Sequence, residues 1–369
     1  MTKSATKEGT SGYRRRFSGR AADSHFREAQ RMVLSSLGLG TYLGQPDEKT
    51  DEAYTAAVVA AVERGINVID TAINYRFQHS ERSVGAALRQ LEAKGFSREE
   101  LVLCTKGGYL TPDGSMPADP NEYFFRAYIQ QGIFGAKDLV AGSHCMTPKF
   151  LKDQLGRSLK NLGVECVDVY YLHNSETQLS EVAKPEFVQR VRAAFEFLES
   201  AVEAGEIRYY GMATWNAFRQ DRRARDAMQL AEIVQIAQEI AGGLHHFRFV
   251  QLPFNLGMPE ALTLGNQLLR ERERTLVEAA GDLDLTVIAS ASLLQGQVAH
   301  NLPKVVAQAF GLENDAERAL QFARSAPGVT TALVGMSRVE HVTANARLVH
   351  VAPATVEEFG KLFSRSEGA

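Results

Sequence analysis

The run Gly65-Ile66-Asn67-Val68-Ile69-Asp70-Thr71-Ala72-Ile73-Asn74-Tyr75 decides how the rest of the chain is read. Gly65 stands where a helix closes, because the left-handed residue that ends a helix is most often glycine. Residues 66–69 are mostly β-branched and nearly all apolar, which predicts a short strand buried on both faces of a parallel sheet. Asp70 then puts a carboxylate at the carboxyl end of that strand. Tyr75 puts a phenol a few residues beyond. A charge at the mouth of a buried strand is costly unless something pairs with it. The partner has to come from elsewhere in the sequence.

The same strand-then-helix pattern recurs on both sides. Helices are predicted over 50–64, 80–94, 148–161, 185–204, 225–240, 266–280, 314–325 and 338–346. The signals are apolar residues at helical spacing, opening prolines and closing glycines. Between them, strands are predicted near Leu37 and over 66–69, 101–106, 167–173, 207–213, 247–254, 285–290 and 331–334. A length of 369 residues suits two ordinary domains or one large α/β barrel. About eight βα units without a break favour the second, a single-domain (β/α)8 TIM barrel over 31–350. Residues 1–30 are basic, with Arg14-Arg15-Arg16 the densest run, and read as a solvated, partly flexible arm. The other reading, an organelle-targeting segment, is weakened by Glu8, Asp23 and Glu28. Residues 351–369 read as a tail with one extra helix over 355–363.

Composition narrows the function classes. The chain is 44% hydrophobic and 23% charged, with a formal net charge of −3. That balance offers no bulk basic field for nucleic acid or an anionic membrane. No apolar run is long enough for a membrane span, and Met1 to Gly12 lacks the apolar stretch of a secretory signal. Cys104, Cys145 and Cys166 are odd in number and unrelated in spacing, so reduced thiols and a cytoplasmic protein are expected. His144-Cys145 and His245-His246 lack zinc-site spacing, so no metal is expected. Gly38, Gly40 and Gly44 are spaced G-x-G-x-x-x-G and are followed by acidic Asp47-Glu48, which argues against a Rossmann fingerprint. A tight loop with backbone close to a ligand stays open. Nothing in the sequence sets an oligomeric state.

One connection is unusually long. Residues 107–147 join the third strand to its helix and carry Tyr123, Phe124, Phe125, Tyr128, Ile129, Ile133 and Phe134. Such a loop is either a packed surface excursion or a lid over a pocket, since barrel active sites lie on the carboxyl-end loops.

Three successive strands end in Asp70, Lys106 and His173, and Tyr75 follows Asp70. Each has a bland reading alone: a cap, a snorkelling lysine, a packed phenol, a satisfied core histidine. Together they put four polar groups on adjacent strand ends at one rim of a barrel, which points to a site.

Here the chain resembles the aldo-keto reductase family. The matching runs are Gly38-Leu39-Gly40-Thr41, residues 65–75, Ser80-Glu81-Arg82-Ser83-Val84-Gly85, Thr105-Lys106, Asp168-Val169-Tyr170-Tyr171-Leu172-His173 and Gly205 to Gly211. The resemblance implies a barrel, a nicotinamide cofactor across its mouth, and hydride transfer between that cofactor and a carbonyl or alcohol substrate. The family's catalytic tetrad falls on Asp70, Tyr75, Lys106 and His173. Its cofactor contacts fall on Gly40, Thr41, Thr214, Gln251, Ser290, Gly335, Ser337, Arg338, His341 and Asn345. NADP(H) is favoured over NAD(H), because Ser337 and Arg338 would suit a 2′-phosphate; a plain surface cation at Arg338 is the alternative. Tyr42, Tyr109 and Trp215 are expected to wall the substrate pocket. The chain departs from the family pattern after the fifth strand, where Thr214 replaces a serine. It departs again after the seventh, where Ala289-Ser290-Ala291-Ser292 carries no aromatic to stack on a nicotinamide. Two other functions compete. One is a cofactor-bound regulatory subunit with little turnover. The other is a Schiff-base enzyme using Lys106 as nucleophile.

Overall fold

The computed structural model describes residues 4–363. Its centre is a closed barrel of eight parallel strands. They are β1 (Leu37–Gly40), β2 (Val68–Asp70), β3 (Val102–Gly107), β4 (Val167–His173), β5 (Ile207–Ala213), β6 (Phe247–Pro253), β7 (Thr286–Ser290) and β8 (Val329–Gly335). Each pairs with the next in the chain, and β8 returns to β1. Helices follow the strands outside, so the (β/α)8 barrel expected from the alternation is the fold.

Side chains alternate in and out along a strand. Ile69, Leu103 and Leu172 face the helical layer. Val68, Val102, Cys104, Val169, Tyr171 and Phe249 fill the barrel interior. Asp70, Lys106 and His173 each lie two residues beyond an interior position, so they cap the inward columns at the carboxyl end. The parallel register sets Gly40 opposite Asp70, Lys106 opposite Tyr171, and His173 opposite Ala213.

The sequence reading fails at the amino terminus. The basic arm expected over 1–30 is folded where the structure describes it. Lys7–Arg16 is a helix, and a hairpin of Phe26–Ala29 and Met32–Ser35 follows. Met32 and Leu34 of that hairpin join the interior cluster at the amino end of the barrel. The arginine run hid an apolar stripe: Tyr13 and Phe17 pack on Phe26, while Arg14, Arg15 and Arg16 face outward. Tyr13 donates to the Val62 carbonyl at 2.6 Å. Because Tyr13 is fully buried, Tyr13→Ala is expected to cost about 3–5 kcal/mol, read as a lower urea midpoint. A loss under about 1 kcal/mol, the scale of an exposed site, would mean that the helix is dispensable.

A second failure lies at 266–280, predicted as one helix. Gln267–Leu269 and Arg272–Arg274 form a hairpin through left-handed Arg270 and Glu271, and the helix is only Leu276–Asp282. A tertiary contact outweighs helical periodicity here: the buried Gln267 accepts from Leu230 N at 2.8 Å, at the start of the helix Leu230–Ala241. That helix was expected to begin at 225. The capping box Thr275–Glu278 marks the true start of the later helix, and it is readable in the sequence. A helix at Lys304–Phe310 was not anticipated. The tail helix is Val356–Gly360, shorter than 355–363, with Phe359 stacked on Phe322. Residues 1–3 of the expected arm and 364–369 of the expected tail lie outside the described residues.

The long connection has its own small core, in which Tyr128, Phe134 and Cys145 pack with Phe150 of the next helix. No helix among the described residues is long and apolar enough to cross a membrane. The three cysteines are free and buried.

Candidate active site

Asp70, at the end of β2, is the hub. Its Oδ1 accepts from Lys106 Nζ at the end of β3. Its Oδ2 accepts from Gln251 Nε2 on β6 at 2.8 Å. Lys106 donates a second bond to the Thr71 carbonyl at 2.9 Å. The buried pair is therefore satisfied on both sides, which such a pair needs if desolvation is not to outweigh its attraction. Burial draws the Lys106 ammonium down, but Asp70 and Tyr75 outweigh it, and its pKa lies above the ordinary lysine value.

Tyr75 stands over that ammonium, with Lys106 Nζ 5.0 Å from its ring centroid. The ring of His173, from the end of β4, meets it edge-on at 5.8 Å. The four groups expected to meet do meet, at one rim. Burial raises the Tyr75 pKa, and the charge of Lys106 opposes that rise. Burial and the repulsion of Lys106 hold His173 well below the ordinary histidine value, so its imidazole is neutral. Its Nδ1 is buried without a hydrogen-bond partner.

Of the three residues expected to wall a pocket, Tyr42 and Tyr109 touch these groups. Tyr42 packs edge-on against Tyr75 at 5.0 Å, and its ring is largely exposed. Tyr109 meets His173 at 5.2 Å and is held by Asn174 Nδ2 at 3.2 Å and Thr177 Oγ1 at 3.1 Å. Trp215 is 43% exposed. It lines a cavity of about 370 Å³ with Asn174, Glu176 and Thr177. A cavity of about 480 Å³, lined by Lys7, Arg31 and Thr286, opens at the other end of the barrel, away from the four groups.

The residues assigned to a cofactor are distributed differently. Gly40 is paired with Asp70, and Thr41 is tied to the Asp70 carbonyl through its amide and hydroxyl, both at 3.2 Å. Thr214, just past β5, has a buried hydroxyl with no hydrogen-bond partner. Ser290 ends β7 and Gly335 ends β8. Ser337 and Arg338 follow, and Arg338 Nη2 lies 3.1 Å from His341 Nε2. Asn345 is buried at the end of the helix Val339–Asn345.

Sequence reasoning missed three supports. Gln251 was read as a cofactor contact, and its bond to Asp70 was not anticipated. Glu176 is buried and its Oε1 accepts from the amides of Trp215 at 2.6 Å and Asn216 at 3.1 Å. His144 is buried, and Gln178 Nε2 donates to its Nδ1 at 2.8 Å. Its Nε2 therefore carries the proton and donates to the His173 carbonyl at 2.8 Å. No local pattern marks Glu176, His144 or the bond from Gln251 to Asp70, because each contact joins elements far apart in the chain. Among the described residues no cluster of His, Cys, Asp and Glu has the makings of a metal site.

Known proteins resemble this chain over most of its length. YqkF of Bacillus subtilis, an uncharacterized oxidoreductase, is 22% identical over 361 residues, 90% of this chain and 93% of that one. A putative voltage-gated potassium channel subunit beta of Schizosaccharomyces pombe is 23% identical over 331 residues, 86% of this chain and 85% of that one. Among solved structures, an aldo/keto reductase from Klebsiella pneumoniae in complex with NADP and acetate has a TM-score of 0.61 at 20% identity. That match covers 92% of this chain and 94% of the other, and at such identity it speaks for the fold. The family profile of the aldo/keto reductases matches residues 36–365, nearly the whole chain, and the protein belongs to that family of oxidoreductases.

Proposed function

We propose that the protein is an NADP(H)-dependent carbonyl reductase, or an alcohol dehydrogenase in the reverse direction, with Tyr75 as general acid. The observation that carries this reading is the convergence of Asp70, Lys106, Tyr75 and His173. A bound nicotinamide would supply or accept the hydride. Hydride delivered to a carbonyl carbon leaves an alkoxide, which needs a proton and a stabilising field. Tyr75 is protonated at neutral pH and supplies that proton. Lys106 stabilises the phenolate left behind, and Asp70 holds Lys106 in place. Neutral His173 donates a hydrogen bond to the substrate oxygen and orients it. A Schiff-base lysine needs a lowered pKa, whereas that of Lys106 is raised.

The orphaned Thr214 hydroxyl suits a carboxamide. Gln251, with its amide nitrogen engaged by Asp70, offers its carbonyl beside it. Gly40 and Thr41 bring backbone close to the mouth. Ser290, at the end of β7, would be a further cofactor contact, and Gly335, Ser337, Arg338, His341 and Asn345 would take the adenosine phosphate end, where the exposed Arg338 guanidinium favours a 2′-phosphate. Fluorescence titration with NADPH and NADH tests the preference, and an aldehyde panel then tests turnover. Binding of neither cofactor would end this reading. The likeness to a putative channel subunit supports a second one, a cofactor-bound subunit with little catalysis. Tight NADPH binding without turnover on any aldehyde would favour it.

The connection 107–147 reaches the site through Tyr109. If it walls the substrate, replacing 115–140 by a short linker is expected to change the order of KM values across the panel. The smallest aldehyde should be the least affected. An unchanged substrate profile would remove the loop from the site.

A further inference from the structure

Directly after Tyr75 the backbone turns left-handed at three consecutive residues that carry side chains: Arg76 (φ 48°), Phe77 (φ 54°) and Gln78 (φ 76°). L-residues avoid this region because of clashes at Cβ. Such strain persists only where the surroundings over-determine it. Each residue of this turn is gripped by a different part of the molecule. Gln78 donates to the Pro112 carbonyl at 3.1 Å and accepts from Asn161 at 3.0 Å. The Phe77 carbonyl accepts from Gly114 N at 3.0 Å.

Arg76 is the most constrained of the three. Its side chain is 1% exposed. Nε donates to Ser80 Oγ at 3.1 Å, Nη1 to Asp51 Oδ1 at 2.7 Å and to the Gln45 carbonyl at 3.3 Å, and Nη2 to Ser83 Oγ at 3.0 Å. The guanidinium also lies 4.8 Å over the Tyr54 ring. Asp51, in the first turn of the helix Glu48–Val62, is the counter-charge. It also takes His79 Nδ1 at 2.6 Å and Ser83 Oγ at 3.1 Å. Ser80 closes the circuit to the site. It donates to the Thr41 carbonyl at 2.8 Å, and Thr41 N donates to the Asp70 carbonyl.

The Tyr75 ring is placed by edge contacts with Tyr42 and His173, and its amide bonds the Ala72 carbonyl at 3.1 Å. Ring contacts of that kind, together with the contact to the Lys106 ammonium, hold the phenol in place only while its backbone stays put. We propose that Arg76 is a positioning residue for Tyr75: clamped by Asp51, Ser80 and Ser83, it holds the left-handed turn that aims the phenol between Lys106 and His173. The inference rests on the reading of Tyr75 as proton donor. With its side chain 1% exposed and its nitrogens engaged by Asp51, Ser80, Ser83 and the Gln45 carbonyl, Arg76 acts through the tyrosine.

The test is a double-mutant cycle in the full chain. A displacement of about 1 Å in a reacting group costs on the order of a hundredfold in rate. Arg76→Met is therefore expected to lower kcat by roughly ten- to a hundredfold, with KM and the NADPH dissociation constant little changed. In a Tyr75→Phe background the same substitution should produce no further loss, because nothing is left to aim. Arg76→Lys, a point charge without the planar fork, should recover part of the rate. If Arg76→Met does not fold, Asp51→Asn serves in its place, since that carboxylate side chain is 28% exposed. It should show a smaller loss of the same kind, again absent in the Tyr75→Phe background. Wild-type kcat in Arg76→Met, a loss confined to cofactor binding, or losses that multiply in the double variant would overturn the proposal. Retained turnover in Tyr75→Phe alone would instead bring down the reading of Tyr75, and this inference with it.

Discussion

Tyr75→Phe is expected to cut carbonyl reduction by on the order of 10²–10⁴, the usual contribution of a positioned acid. NADPH binding should stay close to wild type. The substitution removes one hydroxyl and keeps the ring, so the edge contacts with Tyr42 and His173 survive. The loss should appear in kcat and kcat/KM together, since the proton is transferred only in the transition state. The pH dependence follows from the raised Tyr75 pKa. An acid acts in its protonated form, so reduction by the wild type should hold up through neutral pH and fall only as the medium turns strongly alkaline. Turnover near the wild-type level in Tyr75→Phe would remove the phenol from the chemistry.

Lys106→Met should be damaging in two ways. On the proposed mechanism it takes away the cation that would stabilise the phenolate, so activity should fall at least as far as in Tyr75→Phe. It also strands the Asp70 carboxylate, 4% exposed, with only Gln251 as a partner. Breaking a buried pair from one side costs about 3–5 kcal/mol. The companion change, Asp70→Asn in the same chain, removes the stranded charge and is expected to restore much of the stability but none of the activity. Because the folded-state pKa of Lys106 is raised, its contribution to stability is fully present below the ordinary lysine value of 10.5. It is lost only as pH climbs through the higher folded value. Urea denaturation of the single and double variants separates the two effects. A fully stable Lys106→Met would show that Asp70 does not depend on the ammonium.

Strand β2 and the loop after it illustrate how much of this was legible. Inward and outward positions alternate every two residues, so Val68 and Asp70 had to share a side. The same rule applied to Cys104 and Lys106, and to Tyr171 and His173. Eight repeats of strand and helix then specify a closed barrel, and closure brings those three strand ends to one rim. The amino terminus was misread because three adjacent arginines outweigh Tyr13 and Phe17 in composition, although the two aromatics are one helical turn apart. The stretch 266–280 was misread because its apolar spacing fits a helix. Only the start of the helix Leu230–Ala241, brought alongside by the fold, gives Gln267 a backbone amide to bind.

What the sequence determined by itself is therefore the barrel and the placing of Asp70, Lys106 and His173 at its strand ends, because both follow from short-range periodicity; the catalytic grouping of Tyr75 with them came from the family resemblance. The tertiary structure alone decided how those groups are held. Gln251 on Asp70, Glu176 under Trp215, His144 on His173 and Asp51 on Arg76 each join segments 25 to 181 residues apart. A hydrogen bond between side chain and distant backbone or side chain leaves no spacing pattern in the chain, since its geometry exists only once the barrel has closed.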